Sequence, residues 1–382
     1  MTFDKIYQYN FPTTIRFGAG AVRELADYLR SHQLSRPLIV TDPVIAGLPF
    51  FKSIIEDLNK KNISAEVFCD IHKNPVKSDV YKGSEAFDGT QRDSIVGIGG
   101  GAALDVARAI TLRIHHREDL FKYDDLIGGD VYVTNDVPHF VTIPTTSGTG
   151  SEVGRSAIIA DDETHQKKIL FSPKLLARIV FADPELTMAL PPAVTAATGM
   201  DALTHNMEAY LAKMPHPICE GIALEGMSLI ASSIETATHK PDLESRSKML
   251  IASMMGAIAF QKGLGVVHSL AHPLSSLLDT HHGLANAINL PYGMRFNVSG
   301  FEEKFRRLAR TLNIKDESGE GVVQFLFDLN TKIGIPHKLR DIGVKESHLD
   351  ELADLAIADF AHPNNPKPVS RTDFRNLYQQ AL

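Results

Sequence analysis

The first half of the chain alternates between two hydrophobic periods. Short apolar runs, many of them β-branched, occur in TTIRFGAG (13–20), RPLIVTD (36–42), AEVFCDI (65–71), SIVGIGGG (94–101) and HFVTIPTT (139–146). Between them, segments such as AVRELADYLRSH and FKSIIEDLNKKN repeat apolar positions three and four apart. Runs without polar alternation predict strands buried on both faces, and the 3.6 period predicts helices. Their alternation predicts a parallel, doubly wound sheet. Two more strand-like runs, RSAIIA and ARIVFAD, fall within 155–183. After Pro191-Pro192 the pattern changes. AVTAATGMDALTHNMEAYLA, CEGIALEGMSLIASSIETAT, SRSKMLIASMMGAIAFQKG, EEKFRRLARTLNI and HLDELADLAIADF all have helical periodicity. The double proline suits a helix start and breaks a preceding strand. The pattern predicts an α/β, Rossmann-like domain over residues 1–189 and an all-helical domain over 190–382.

Composition narrows the functional classes. The 382 residues are 43% hydrophobic and 22% charged, with a formal charge of -7. That charge disfavours nucleic acid as a partner, which calls for a basic face. Cys69 and Cys219 stand far apart in no CxxC pattern, which excludes a thiolate zinc site or a disulfide framework and suits a reducing compartment. The N-terminus has no basic start followed by an apolar core, and no apolar run reaches membrane-spanning length. These features predict a soluble, cytoplasmic protein without a membrane partner.

SIVGIGGGAALDVARAI reads as a strand, a glycine turn and a helix. Gly99, Gly100 and Gly101 carry no Cβ, so a ligand can approach the backbone there. The following helix directs free N–H groups and a positive dipole end at it, which suits a pyrophosphate. The alternative is a tight structural turn. The loop IPTTSGTGSEV adds the hydroxyls of Thr145, Thr146, Ser147 and Thr149 in a post-strand position, where such sheets bind ligands. Asp42, ending LIVTD, either accepts hydrogen bonds from a ribose diol, which favours NAD over NADP, or caps the next helix.

The second half carries metal-ligand chemistry. Asp201 and His205 in GMDALTHNMEAY are four apart, on one helix face. His268 and His272 repeat that spacing in GVVHSLAHP, and His282 follows across a loop. One carboxylate and several imidazoles, with no cysteine, suit a divalent transition metal. Singly, Asp201 reads equally as a helix cap and each histidine as a satisfied core residue.

GGGAALDVARAI, IPTTSGTGSEV, ADPELTMALPPAVTAATGMDALTHNMEAY and GLGVVHSLAHPLSSLLDTHHGLANAINLPYGMRFN together resemble the iron-containing alcohol dehydrogenase family. The motifs are long, in the family's order, and spread from about residue 10 to the C-terminus. The resemblance implies a dehydroquinate synthase-like fold, with a dinucleotide-binding domain, a helical metal domain and a cleft between them. It implies hydride transfer between an alcohol and NAD(P). Asp201, His205, His268 and His282 match its metal ligands, and His272 matches a histidine near the nicotinamide and substrate. Gly99, Gly100 and Gly101, with Asp105, match its diphosphate turn. Asp42, Asn74, Thr145, Thr146, Thr149, Lys167 and Leu186 match its adenine and ribose contacts. Fe²⁺ is the metal so implied, although the ligand set also suits Zn²⁺. Ala102 and Arg108 depart from the family's usual Ser and Lys, which removes one phosphate contact. The resemblance also implies at least a homodimer, joined near FPTTIRFG.

Arg155 in GSEVGRSAII either grips a substrate carboxylate by paired hydrogen bonds or forms an ion pair. This stretch, AFQKGLGVVHSLAHPLSSL and NPKPVSRTDFRNLY resemble the 4-hydroxybutyrate dehydrogenase branch, which implies interconversion of 4-hydroxybutyrate and succinic semialdehyde. A dehydrogenase of neutral short-chain alcohols or diols, of the lactaldehyde and propanediol type, is the alternative. A hydrolase on the same metal has no use for the two glycine-rich loops. A metal-dependent lyase of the dehydroquinate synthase type could share the fold and bind NAD, but the full GMDALTH and HSLAHP set favours the alcohol dehydrogenase branch.

Overall fold

The computed structural model describes residues 7–10 and 13–382. The chain divides into two compact units, one of residues 1–146 and 150–189, the other of residues 147–149 and 190–382.

The first unit holds the strands β1 (Tyr7–Asn10), β2 (Thr14–Phe17), β3 (Pro37–Val40), β4 (Glu66–Phe68), β5 (Ser94–Gly99), β6 (His139–Pro144), β7 (Ser156–Ala160), β8 (Lys167–Phe171) and β9 (Ile179–Ala182). Its helices are α1 (Leu25–Ser31), α2 (Pro43–Ala46), α3 (Pro49–Lys60), α4 (Lys77–Gly89) and α5 (Gly101–His115). Seven strands form one sheet in the order β1-β2-β9-β6-β5-β3-β4. All neighbours are parallel except the edge pair β1–β2. Alternate side chains of one strand enter different cores. Leu38, Val40 and Ile95 pack with Val106 and Ile110 of α5, whereas Ile39, Val96 and Ile98 pack with Leu25 of α1 and Ile54 of α3. Covering both faces is why these strands read as continuous apolar runs. Each such buried aliphatic side chain contributes roughly 1.5–3 kcal/mol relative to exposure.

Two strands escape the sequence pattern. β8 is antiparallel to β7 in a separate two-stranded sheet, so RSAIIA pairs with Lys167–Phe171, a run too polar to read as a strand. ARIVFAD supplies β9, which lies between β2 and β6 in the main sheet. β1 is an edge strand, where polar residues are tolerated. Of the FPTTIRFG stretch, Phe11 and Pro12 lie outside the described residues.

The second unit is built from α6 (Pro192–Leu211), α7 (Pro217–Ala231), α8 (Ile234–His239), α9 (Leu243–Ala259), α10 (Val266–Leu278), α11 (His282–Val298), α12 (Glu302–Thr311), α13 (Gly319–Lys332), α14 (Leu349–Ile357) and α15 (Arg371–Ala381). Pro192 occupies the first turn of α6, where its missing N–H costs nothing. The run read as one helix over 219–238 breaks at Ser232-Ser233, where the Ser232 hydroxyl bonds the Leu229 carbonyl and competes with the helical ladder. α6 is buried on nearly all sides, from Thr195 to Leu211. Polar groups on such a helix need internal partners, and α6 carries Asp201, His205 and Glu208.

Candidate metal centre and cofactor turn

Asp201 is the tenth residue of α6, well inside the helix, so the capping alternative falls away. One turn on, His205 points the same way. α10 brings His268 alongside, its ring stacked on that of His205 with centroids 4.6 Å apart. His282 is the first residue of α11. Ligand atoms of Asp201, His205, His268 and His282 all lie within 4.8 Å of one another.

Close approach of two backbones makes this possible. A Cβ on Gly283 would lie 2.4 Å from the Ala197 carbonyl oxygen and 3.3 Å from the Asp201 Cβ. Only glycine lets the first turn of α11 press against α6 and set His282 beside Asp201, with Nε2 3.5 Å from Asp201 Oδ1. His281, which the sequence leaves without a role, caps α11 by accepting from the Leu284 N–H at 3.4 Å.

The two buried histidines are biased in opposite directions, His205 toward the neutral form that ligates and His268 toward the charged form, from which a bound cation would displace a proton. Burial lowers His205 to about 4, against the raising pull of Asp201 and Glu208, so its imidazole is neutral near pH 7. Burial also opposes charge on His268, but its hydrogen bond to Glu208 and that carboxylate's charge prevail and raise it. His268 Nδ1 lies 2.6 Å from Glu208 Oε2, and Glu208 Oε1 accepts from the Val267 N–H at 2.6 Å. With Nδ1 committed to Glu208, Nε2 is the nitrogen turned toward the other ligands. Asp201 Oδ1, His282 Nε2 and His268 Nε2 all face the Asn286 amide Nδ2, at 2.7, 3.1 and 3.3 Å. A carboxylate oxygen and two imidazole nitrogens converging from three segments, with a neutral imidazole beside them, are a donor set that suits a divalent cation, which would displace any proton held on His268 Nε2.

His272 lies one turn after His268 on α10. Its ring stacks on His282, with centroids 5.3 Å apart and 16° between planes, and its Nδ1 is 2.7 Å from Asp359 Oδ2. Sequence reading missed Glu208, Asn286 and Asp359. The first two carry a local signal: Glu208 follows His205 by three on a buried helix, and Asn286 follows His282 by four. Asp359, 87 residues from His272, has none.

In the first unit, β3, β5 and β6 are neighbours, and their C-terminal ends bring together Asp42, the glycine turn and the threonine loop. β3 and β5 flank the point where the strand order reverses, the usual ligand crevice of such sheets. Gly99 has φ +152°, and a Cβ there would lie 2.7 Å from the Ala103 Cβ and 3.6 Å from Asp42 Oδ2. Gly100 caps α5, and Gly101 begins it. The Thr145 N–H donates to the Gly99 carbonyl at 3.0 Å, while its buried hydroxyl has no partner among the described residues. Thr146 Oγ1 lies 3.2 Å from where a Gly100 Cβ would be.

Asp42 does cap α2, through Oδ1, which accepts from the Val44 and Ile45 N–H groups at 2.9 Å each. Oδ2 is the oxygen nearest Gly99. Asp105 is occupied differently: its carboxylate accepts from the Ser151 hydroxyl at 2.6 Å, the Ile158 N–H at 3.0 Å and Arg108 at 3.1 Å. It therefore acts on the turn by fixing the 151–158 segment to α5. Arg108, fully buried, extends that tie to the Ser151 and Ser156 carbonyls. Asn74 lies in the loop after β4 and Leu186 in the short turn after β9, whereas Lys167 opens β8 in the small sheet. Ser147–Thr149 belong by their contacts to the second unit, where a Gly148 Cβ would lie 3.0 Å from the Thr198 Cβ. The guanidinium of Arg155 lies 5.7 Å over the Phe171 ring, and no carboxylate of its own unit pairs with it among the described residues.

Residues 12–184 match the family model described as iron-containing alcohol dehydrogenase, and residues 195–382 match the model of the family's C-terminal part. The chain is 36% identical over 380 residues to 4-hydroxybutyrate dehydrogenase of Cupriavidus necator, covering 97% of this chain and 98% of that protein. It superposes on a crystal structure of 1,3-propanediol oxidoreductase with a TM-score of 0.93 and 32% identity, over all of both chains. Sulfoacetaldehyde reductase from Bifidobacterium kashiwanohense, solved in complex with NAD+, gives a TM-score of 0.86 and 25% identity, over 100% of this chain and 99% of that one. The chain belongs to the iron-containing alcohol dehydrogenase family and is an oxidoreductase of the alcohol dehydrogenase type.

Proposed function

We propose that this enzyme interconverts 4-hydroxybutyrate and succinic semialdehyde, using NAD and Fe²⁺. The observation that carries the metal assignment is the convergence of Asp201, His205, His268 and His282 within 4.8 Å. In this reading residues 190–382 hold the ion and residues 1–189 hold the dinucleotide. Bound Fe²⁺ supplies a Lewis acid for charge developing on the substrate oxygen, and bound NAD supplies the hydride acceptor or donor.

The chain's own groups do the rest. The N–H groups at Gly100 and Gly101, with the Thr145 hydroxyl, hold the pyrophosphate. Asp42 Oδ2 accepts from the ribose diol and repels a 2′-phosphate. Asn74, Thr146, Thr149, Lys167 and Leu186 line the rest of the dinucleotide site. His272 positions the substrate and moves the proton of its hydroxyl, a task suited to imidazole. Arg155, without a carboxylate partner in its own unit, binds the substrate carboxylate.

The substrate rests on the Cupriavidus relative and on Arg155. The superposition on 1,3-propanediol oxidoreductase favours a second reading, a neutral diol. Nicotinamide absorbance, followed with Fe²⁺-loaded protein against acidic and neutral aldehydes, separates the two. Arg155→Ala is expected to abolish a preference for succinic semialdehyde over 3-hydroxypropanal. An unchanged preference refutes the carboxylate role.

A cytoplasmic location and a homodimer or higher oligomer complete the proposal. The unpaired Cys69 and Cys219 suit a reducing compartment. Sedimentation at micromolar concentration tests the oligomer, and a monomeric mass refutes it.

A further inference from the structure

The acid on His272 comes from a distant segment that is itself firmly held. Asp359 follows the end of α14, and its two oxygens have separate tasks. Oδ1 accepts from the Ser269 hydroxyl at 2.6 Å and from the Ala361 N–H at 2.9 Å. Oδ2 takes His272 Nδ1 at 2.7 Å. The segment is anchored to α10 at further points. The His362 N–H donates to Ser269 Oγ at 2.9 Å, and Asn365 Oδ1 accepts from the Val266 N–H at 3.2 Å. Phe360 packs against the His272 ring with centroids 5.2 Å apart, in addition to the stack with His282.

We propose that Asp359 is the positioning residue that fixes the ring orientation and tautomer of His272. A carboxylate whose other oxygen already has two donors offers Oδ2 only as an acceptor. The proton of a neutral His272 then sits on Nδ1, and Nε2 is the atom directed away from Asp359. Without the acid, the ring can flip or change tautomer, and the same nitrogen no longer faces the reacting group. The arrangement repeats that of Glu208 and His268 one turn earlier on α10. There the oriented nitrogen is assigned to the metal, and here to the substrate. The inference rests on the proposed role of His272 at the substrate oxygen.

The test uses the full-length protein and Asp359→Asn, which keeps the shape and an acceptor oxygen for Ser269 and Ala361. In metal-free, ¹⁵N-histidine-labelled protein, long-range proton–nitrogen spectra read the tautomer, with His272→Gln locating the signal. Wild type is expected to show Nδ1–H alone, and the variant a mixture or the Nε2–H form. In Fe²⁺-loaded protein, kcat is expected to fall by about 10²-fold, within the range for a misdirected acid–base group. KM for NAD and iron content should stay within about twofold of wild type, in contrast to loss of a metal ligand. Asp359→Glu should recover part of kcat. An unchanged tautomer, or an unchanged kcat, overturns the proposal. Should Asp359→Asn fail to fold, Ser269→Ala removes one anchor of Oδ1 and is expected to lower kcat several-fold; no change there overturns it equally. A His272→Gln enzyme with full turnover would instead overturn the role assigned to His272 itself.

Discussion

Glu208 Oε2 and His268 Nδ1, from α6 and α10, lie 2.6 Å apart with both side chains about 1% exposed. The acid also takes the Val267 N–H, so one carboxylate both orients a ligand and closes the N-terminus of α10. Glu208→Gln leaves one oxygen to accept and puts an NH₂ against the other donor. Iron retention after dialysis at fixed free Fe²⁺ is expected to fall about 10–100-fold, the usual effect of losing a carboxylate behind a ligating histidine. Retention equal to wild type would remove Glu208 from the metal site.

Gly283 governs the approach of α11 to α6. An alanine Cβ would meet the Ala197 carbonyl oxygen at 2.4 Å, and backbone cannot move aside as a side chain can. Gly283→Ala is expected to cost about 1–3 kcal/mol in urea unfolding. It should also weaken iron binding, because His282 is carried by the same turn. A variant with wild-type stability and iron content would show that this contact does not set the site.

Asp42 serves two purposes that one substitution separates. Asp42→Ser keeps a capping oxygen for Val44 and Ile45, so stability should change by less than about 0.5 kcal/mol. The negative charge at Oδ2 is lost. KM for NADP should then fall roughly 10-fold or more relative to KM for NAD, as expected when the ribose-binding acid is removed. An unchanged ratio would leave Asp42 as a cap alone.

Glu152 gives stability a dependence on pH. It is 2% exposed, Oε1 has no partner among the described residues, and burial pushes its pKa to about 7, against a backbone hydrogen bond and the charge of Arg108, which pull the other way. The folded state therefore holds a proton that the unfolded chain releases near pH 4.5. This contribution is complete below pH 4.5 and is lost as pH rises through about 7. Relative to Glu152→Gln, the wild-type protein should lose about 3 kcal/mol between pH 4.5 and pH 8, from 1.36 kcal/mol per pKa unit. Parallel curves for the two proteins would show that Glu152 ionises freely.

The two grammars of the chain were legible because burial leaves a periodic trace. β3 and β5 are buried on both faces and read as unbroken apolar runs; α6, α9 and α14 show the 3.6 period. The i, i+4 pairs Asp201–His205 and His268–His272 were legible too, since helix geometry places such residues on one face. β8 was not, because KKILF owes its strand form to pairing with β7 rather than to its own pattern. Neither was the work of Asp42 and Asp105, whose oxygens could bind ligand or backbone with equal chemistry.

By itself the sequence determined the strand–helix alternation of the first half, the helical character of the second, the glycine turn and which residue types were available as ligands. Only the tertiary structure decided their partners. Glu208 meets His268 across 60 positions and Asp359 meets His272 across 87. The glycine at 283 allows the helix approach that sets His282 beside Asp201. The reason is physical. Periodicity records which side of an element faces the core, a local property, whereas hydrogen bonds are spent over a few ångströms between groups that only chain packing brings together.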